Sequence, residues 1–162
     1  MKISKKTLSI FLMSTFISLL LLGGILYFFY CAFIEKFRYE GIKGIGIGLT
    51  VYANDYGTVP PLDQWCDKLI EEADFGPSHF WGVIDRQEGV CGYALNENLQ
   101  GKIFSELDDK VVLAFEAKGP WNLSGGPELM KTSTRKKIAV VFVDGHMKFI
   151  PREDIDKLKW KP

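Results

Sequence analysis

The sequence predicts an α+β fold: a long N-terminal membrane-spanning helix followed by a small antiparallel-sheet domain. Three observations carry that prediction. From Thr7 to Ile34 there is no charged residue. Near the C-terminus, IAVVFVDGHMKFIP places Asp144-Gly145 between two apolar runs, and Asp-Gly so flanked is among the strongest short hairpin signals. Between these ends, helical periodicity and strand-like runs alternate with Gly- and Pro-rich turns.

The elements follow in order. LSIFLMSTFISLLLLGGILYFFYCAFI is long enough to cross a bilayer with some tilt, since about 20 apolar residues suffice. A signal peptide carries a shorter apolar region, roughly 7–15 residues, and a small-residue cleavage site, and neither fits this run. Cys31 follows Tyr30 rather than a small residue, so it reads as an apolar membrane residue and not as a lipoprotein cysteine. Lys2, Lys5 and Lys6 precede the run with no acid among them, which places the N-terminus on the cytoplasmic side. The expected division is residues 1–34 as cytoplasmic stub and transmembrane helix, 35–56 as a helix extending out of the membrane, and 57–162 as an extracytoplasmic domain. Membrane lipid is the expected partner of residues 7–34.

In EKFRYEGIKGIGIGLTVYANDYG, Ile42, Ile45, Leu49 and Tyr52 recur at three- and four-residue steps, which is one helical face. Gly41, Gly44, Gly46 and Gly48 each weaken a helix by about 1 kcal/mol, but small residues also admit close neighbours. They mimic a phosphate loop without the preceding strand that a dinucleotide fingerprint needs. The helix is expected to end near Asn54-Asp55, with Gly57, Pro60 and Pro61 stopping it. DQWCDKLIEEADF reads as a short amphipathic helix with Asp63 as N-cap. Residues 76–90 read as irregular and CGYALNENL as turn-rich. VVLAFEA reads as a strand after a helical turn, and GPWNLSGGPELM as a loop. KKIAVVFV and HMKFI read as the strands of the hairpin, with Val141 and Val143 on one face and Val140 and Phe142 on the other. PREDIDKLKW reads as a terminal helix packing through Ile155 and Leu158.

Composition narrows the function classes. Lys+Arg and Asp+Glu are both 20, so the basic footprint of a nucleic-acid binder is missing, and no nucleic-acid partner is expected. With Cys31 in the membrane, Cys66 and Cys91 remain as a candidate disulfide in an oxidising compartment. Such a loop is worth about 3 kcal/mol in the chain-entropy model; two buried thiols are the alternative. Asp144, Gly145 and His146 are assigned to a structural turn. A metal or catalytic role there would need further ligands, and His79, Asp63, Asp67, Glu116 and Glu128 have no spacing that supplies them. Neither a Ser-His-Asp elbow, HExxH nor a phosphate loop is present. Glu116 and Glu128 could pair as general acid and base, but carboxylates so placed read better as solvated or loop-capping groups, and NDYG lacks the alternate acids and distal glutamate of a calcium loop. Asn122-Leu-Ser124 matches a glycosylation sequon. No catalytic residue, metal or cofactor is expected. Trp65, Trp81 and Trp121 read as core residues, and the loops 57–91 and 118–134 as contact surfaces, with Trp121, Asn122, Gly125, Gly126, Pro127 and Glu128 as the candidate contact loop.

The stretches IGLTVYANDYGTVPP, WCDKL, CGYALNENL, VVLAFEA, WNLSGGPEL and VFVDGHMKFI occur in an order that resembles the prepilin-type His-x9-Asp-Gly group of the type IV pilin and type II secretion pseudopilin superfamily. The resemblance covers most of residues 41–150. It implies an N-terminal membrane helix running into a small extracytoplasmic α+β domain with an antiparallel sheet. It also implies a structural or assembly component and not an enzyme, seated in a bacterial inner membrane and acting on other pilin-like or secretion-system proteins. Two features depart from the group. Its basic leader, glycine and Phe-Thr-Leu-Ile-Glu start are absent, and Thr134 stands at the position of its histidine. A membrane-tethered hydrolase or metal-dependent enzyme using Asp144, His146 and Glu116 is the competing class, and a glycan- or peptide-binding module near Trp121 a third.

Overall fold

A computed structural model describes residues 5–82 and 87–162. The chain divides into two compact units, Met1–Lys36 and Phe37–Pro162. The first helix, α1, is continuous over Lys5–Tyr56. Its N-terminal part is apolar on every side. Leu19, Leu22, Ile25, Tyr27, Phe29 and Phe33 are all exposed, Tyr27 to 70%. A helix hydrophobic all round belongs in a protein core or a bilayer. It is long and apolar enough to cross a membrane.

From Phe37 onward the helix changes character. Ile42, Ile45 and Leu49 are wholly buried and Tyr52 nearly so, as their spacing predicts. α1 stops at Tyr56, where Gly57 takes a left-handed φ of 78°, a conformation that favours glycine. Residues 37–56 therefore belong to the folded unit itself.

α2 spans Trp65–Glu72. Asp63 does not cap it: Gln64 holds the N-cap position and no side chain caps the helix. Five strands form one sheet: β1 Val90–Asn96, β2 Val112–Pro120, β3 Ser124–Gly125, β4 Lys137–Phe142 and β5 Met147–Pro151, in the order β3-β1-β2-β4-β5. β1–β2, β2–β4 and β4–β5 are antiparallel. β3 lies parallel to β1, pairing Leu95 with Ser124 and Asn96 with Gly125. The sheet is thus mixed, not purely antiparallel. Within GPWNLSGGPELM, read as a loop, the chain leaves Pro120 beside Val90 and reaches Ser124 beside Leu95. Asn122, at φ 59°, makes the bend, and Asn tolerates that region better than most residues. A short helix, α3, Pro127–Lys131, completes the segment.

CGYALN is a strand and not a turn-rich stretch. Gly92 misleads because it marks a close approach, not a turn. A Cβ there would run into the backbone of Gly82, and a strand glycine often marks such contact. The C-terminal segment is 3-10 helical over Arg152–Lys157, with Ile155 buried.

Strand alternation gives the sheet two apolar faces. Tyr93, Leu95, Leu113, Ala139 and Val141 join α1 and α2 in one core cluster. Val112, Phe115, Ile138, Val140, Phe142 and Ile150 pack with Met130 and Ile155 in the other. The predicted assignment of Val140, Val141, Phe142 and Val143 to faces agrees with this.

Candidate functional site

The DGH segment is a turn built by its own side chains. The Gly145 N–H donates to the Phe142 carbonyl at 2.9 Å, and the Phe142 N–H to the His146 carbonyl at 3.0 Å. Gly145 alone is left-handed, at φ 79°. The connection is therefore Val143-Asp144-Gly145 with a glycine bulge, and not the two-residue turn with positive φ at both Asp144 and Gly145. Asp144 Oδ1 accepts from the His146 backbone N–H at 3.0 Å and pairs with His146 Nδ1. The imidazole stacks flat on Phe142, centroids 4.3 Å apart. Partial burial pushes the Asp144 carboxyl up, but the backbone N–H and imidazole of His146 outweigh it and hold the group below its ordinary value.

Glu116 is committed elsewhere. Its carboxylate takes both forks of Arg38, Nε to Oε1 at 2.8 Å and Nη2 to Oε2 at 2.5 Å. It also accepts the Ala139 N–H at 2.9 Å. Arg38 Nη2 donates further to the Lys137 carbonyl at 2.7 Å, and the guanidinium lies 5.0 Å from the Phe149 ring centroid. This one ion pair ties α1 to β2, β4 and β5. Glu128 accepts the Gly126 N–H at 2.7 Å, so the two glutamates do not act together. No group of three metal-ligating side chains occurs among the described residues.

The expected contact loop turns its polar atoms inward. Trp121 Nε1 donates to Asp67 Oδ1 at 2.8 Å, and Asn122 Nδ2 to Asp67 Oδ2 at 2.7 Å. Asn122 Oδ1 accepts the Cys66 N–H at 2.8 Å, at the start of α2, while Trp65 Nε1 donates to the Leu123 carbonyl at 2.9 Å. WCD of α2 and WNL of the loop thus lock together, and the sequon amide is used in that lock. Gly125 and Gly126 are buried, and Glu128 stays exposed. Trp65, Phe80 and Trp121 stack edge to face. Trp65 is a core residue; Trp81 and Trp121 are half-buried.

Cys66 and Cys91 are buried together but not bonded: both thiols are free, with sulfurs 3.8 Å apart. Setting Cys31 aside left these two as a candidate pair; the structure holds them as the alternative reading, two buried thiols. Burial, then the neighbouring Cys91, pushes the Cys66 thiol up, so it stays protonated.

Sequence reasoning missed Arg38, Tyr93 and Asn96. Arg38 sits one turn before Ile42 on the stripe that is buried, and a charge there signals a buried partner. Asn96 is fully buried, donating to the carbonyls of Val112 at 2.7 Å and Trp160 at 2.9 Å. It pins the chain's C-terminal residues to β2. Nothing in CGYALNENL marks it out.

α1 also presents a stripe that these contacts do not use. Glu40, Ile47 and Val51 are exposed and Gly44 is half-buried, at the three- and four-residue steps of one helical stripe. The chain matches no protein-family model, no curated protein and no solved structure.

Proposed function

We propose that this chain is a single-pass, pilin-like membrane protein that acts by protein–protein contact and catalyses nothing. It would sit in a bacterial inner membrane with its N-terminus cytoplasmic and residues 37–162 outside, serving a secretion or pilus-type system. One observation carries the reading. α1 exposes apolar side chains on every side through its N-terminal part, then buries the Ile42, Ile45 and Leu49 face in the core of a small α+β domain. A helix that is solvated by lipid and also cores a domain suits an anchored assembly component. The hydrolase reading asks Asp144, His146 and Glu116 to act together, but Glu116 is saturated by Arg38 and Ala139. On the extracytoplasmic side, Cys66 and Cys91 are expected to close into a disulfide by exchange with an external disulfide oxidant, which leaves as its two thiols.

The test is made in the native host. Cells are sheared, filaments separated from membranes, and the protein's N-terminus determined by mass spectrometry in each fraction. Recovery from filaments with a trimmed N-terminus identifies a working subunit. Recovery from membranes with residues 1–34 intact keeps the anchor and removes the filament role. Recovery from the soluble cytoplasm defeats the whole reading.

A further inference from the structure

One cleft in the folded unit holds a polar atom that the fold does not use. It has a volume of about 260 Å³ and is walled by Phe37, Phe75, Trp81 and Tyr93, with Glu40 and Gly44 along α1. Tyr93 is 2% exposed. Every side-chain polar atom wholly shut from solvent has a hydrogen-bond partner among the described residues. The Tyr93 hydroxyl has none there, so it keeps its small opening onto the cleft. It lies against Gly41, where a Cβ would collide with it; the glycine makes room for the phenol at the cleft floor. Through that opening a ligand donor or acceptor can reach the hydroxyl.

The wall chemistry selects the ligand's sign. Glu40 is the one acid lining the cleft among the described residues, and Ser78 and His79, whose Nδ1 is engaged at the Gly76 backbone, complete the wall. Aromatic faces carry negative quadrupole density and attract cations. We propose that this cleft receives the ammonium or guanidinium end of a lysine or arginine side chain from a protein partner. The cation would face the rings of Phe37, Phe75 and Trp81, pair with the Glu40 carboxylate and donate to the Tyr93 hydroxyl oxygen. Among the described lining residues there is no Lys or Arg, and a cleft of this size takes a side-chain end, not a larger body. The partner's backbone has a surface to lie on as well, because exposed Ile47 and Val51 continue the same stripe of α1 beyond Gly44. Gly44 itself is unexplained by internal packing: a Cβ there meets nothing within 4 Å. Its lack of a side chain keeps the cleft mouth open. The partner's being a protein rests on the contact function proposed above; the cation preference does not.

The full chain in non-ionic detergent is titrated with acetyl-Gly-Lys-Gly-amide, acetyl-Gly-Arg-Gly-amide and the isosteric acetyl-Gly-norleucine-Gly-amide. Amide and indole shifts are followed by NMR. Saturable shifts at Gly44 and the Trp81 indole are expected with the lysine and arginine peptides, and binding of the norleucine peptide about fivefold weaker or worse. Glu40→Gln, an exposed substitution, should weaken the cationic peptides alone. Gly44→Leu, which fills the mouth, should abolish shifts from all three. Equal binding of norleucine, indifference to Glu40→Gln, or no saturable shift at these positions overturns the proposal. Peptide binding by a protein that enters no assembly in cells keeps the site and removes the contact function. Assembly without peptide binding does the reverse.

Discussion

Arg38 and Glu116 form a nearly buried ion pair within the domain. Their side chains are 8% and 11% exposed, and removing one partner of a buried pair strands the other charge. Glu116→Gln is expected to destabilise the domain by about 3–5 kcal/mol, read by chemical denaturation. The double variant Arg38→Met/Glu116→Leu should recover most of that loss, because an apolar pair leaves no charge unpaired. If the double variant is no better than Glu116→Gln, the backbone bonds to Lys137 and Ala139 carry the stability instead. Asp144 makes a smaller and pH-dependent contribution. Its folded carboxyl titrates below its ordinary value, so its stabilisation is complete above the unfolded carboxylate value of about 3.9. It fades as pH falls through the lower folded value. Asp144→Asn should lower Tm at neutral pH, and the gap to wild type should close on acidification below about pH 4. A gap unchanged at low pH would mean that the charge contributes nothing to the turn.

At the scale of elements, the glycines of α1 separate into two kinds. Gly46 is held against β4: a Cβ would lie 2.6 Å from Val141 Cγ2. Gly46→Ala should therefore destabilise the domain by about 1–3 kcal/mol through overpacking. Gly44 has no such neighbour, and Gly44→Ala should stabilise by about 0.5–1 kcal/mol through helix propensity alone. Thermal melts of the two variants check the pair, and destabilisation by both would place an internal contact at Gly44. Sequence periodicity identified the buried stripe of α1 but not which glycine served it, because that depends on which strand lies opposite. The same limit hid β1. Gly92 looks like a turn residue until Gly82 is found against it. β3 has only two residues; it follows the local bend at Asn122 and the Asp67 lock, which is long-range in sequence.

For the molecule as a whole, the thiol pair offers a readout of compartment. If the domain is extracytoplasmic as proposed, protein isolated from host cells, denatured and alkylated without reduction should block Cys31 but neither Cys66 nor Cys91. Reduction should expose both and lower stability by about 2–4 kcal/mol. Full alkylation of Cys66 and Cys91 without reduction would place the domain in a reducing compartment and count against its outside location.

The sequence by itself determined the features that local chemistry enforces. The charge-free run had to become an apolar helix, because burying or lipid-solvating it is the only alternative to exposing it to water. Ile42, Ile45, Leu49 and Tyr52 had to face a core, and Asp144-Gly145 had to turn the chain between β4 and β5. Only the tertiary structure decided what meets what. It joined Arg38 to Glu116, locked Asp67 to Trp121 and Asn122, set β3 parallel to β1, brought Cys66 beside Cys91 without bonding them, and left the Tyr93 hydroxyl facing a cleft. Periodicity reports which side of an element is apolar, whereas partner choice across tens of residues depends on the packing of the entire sheet.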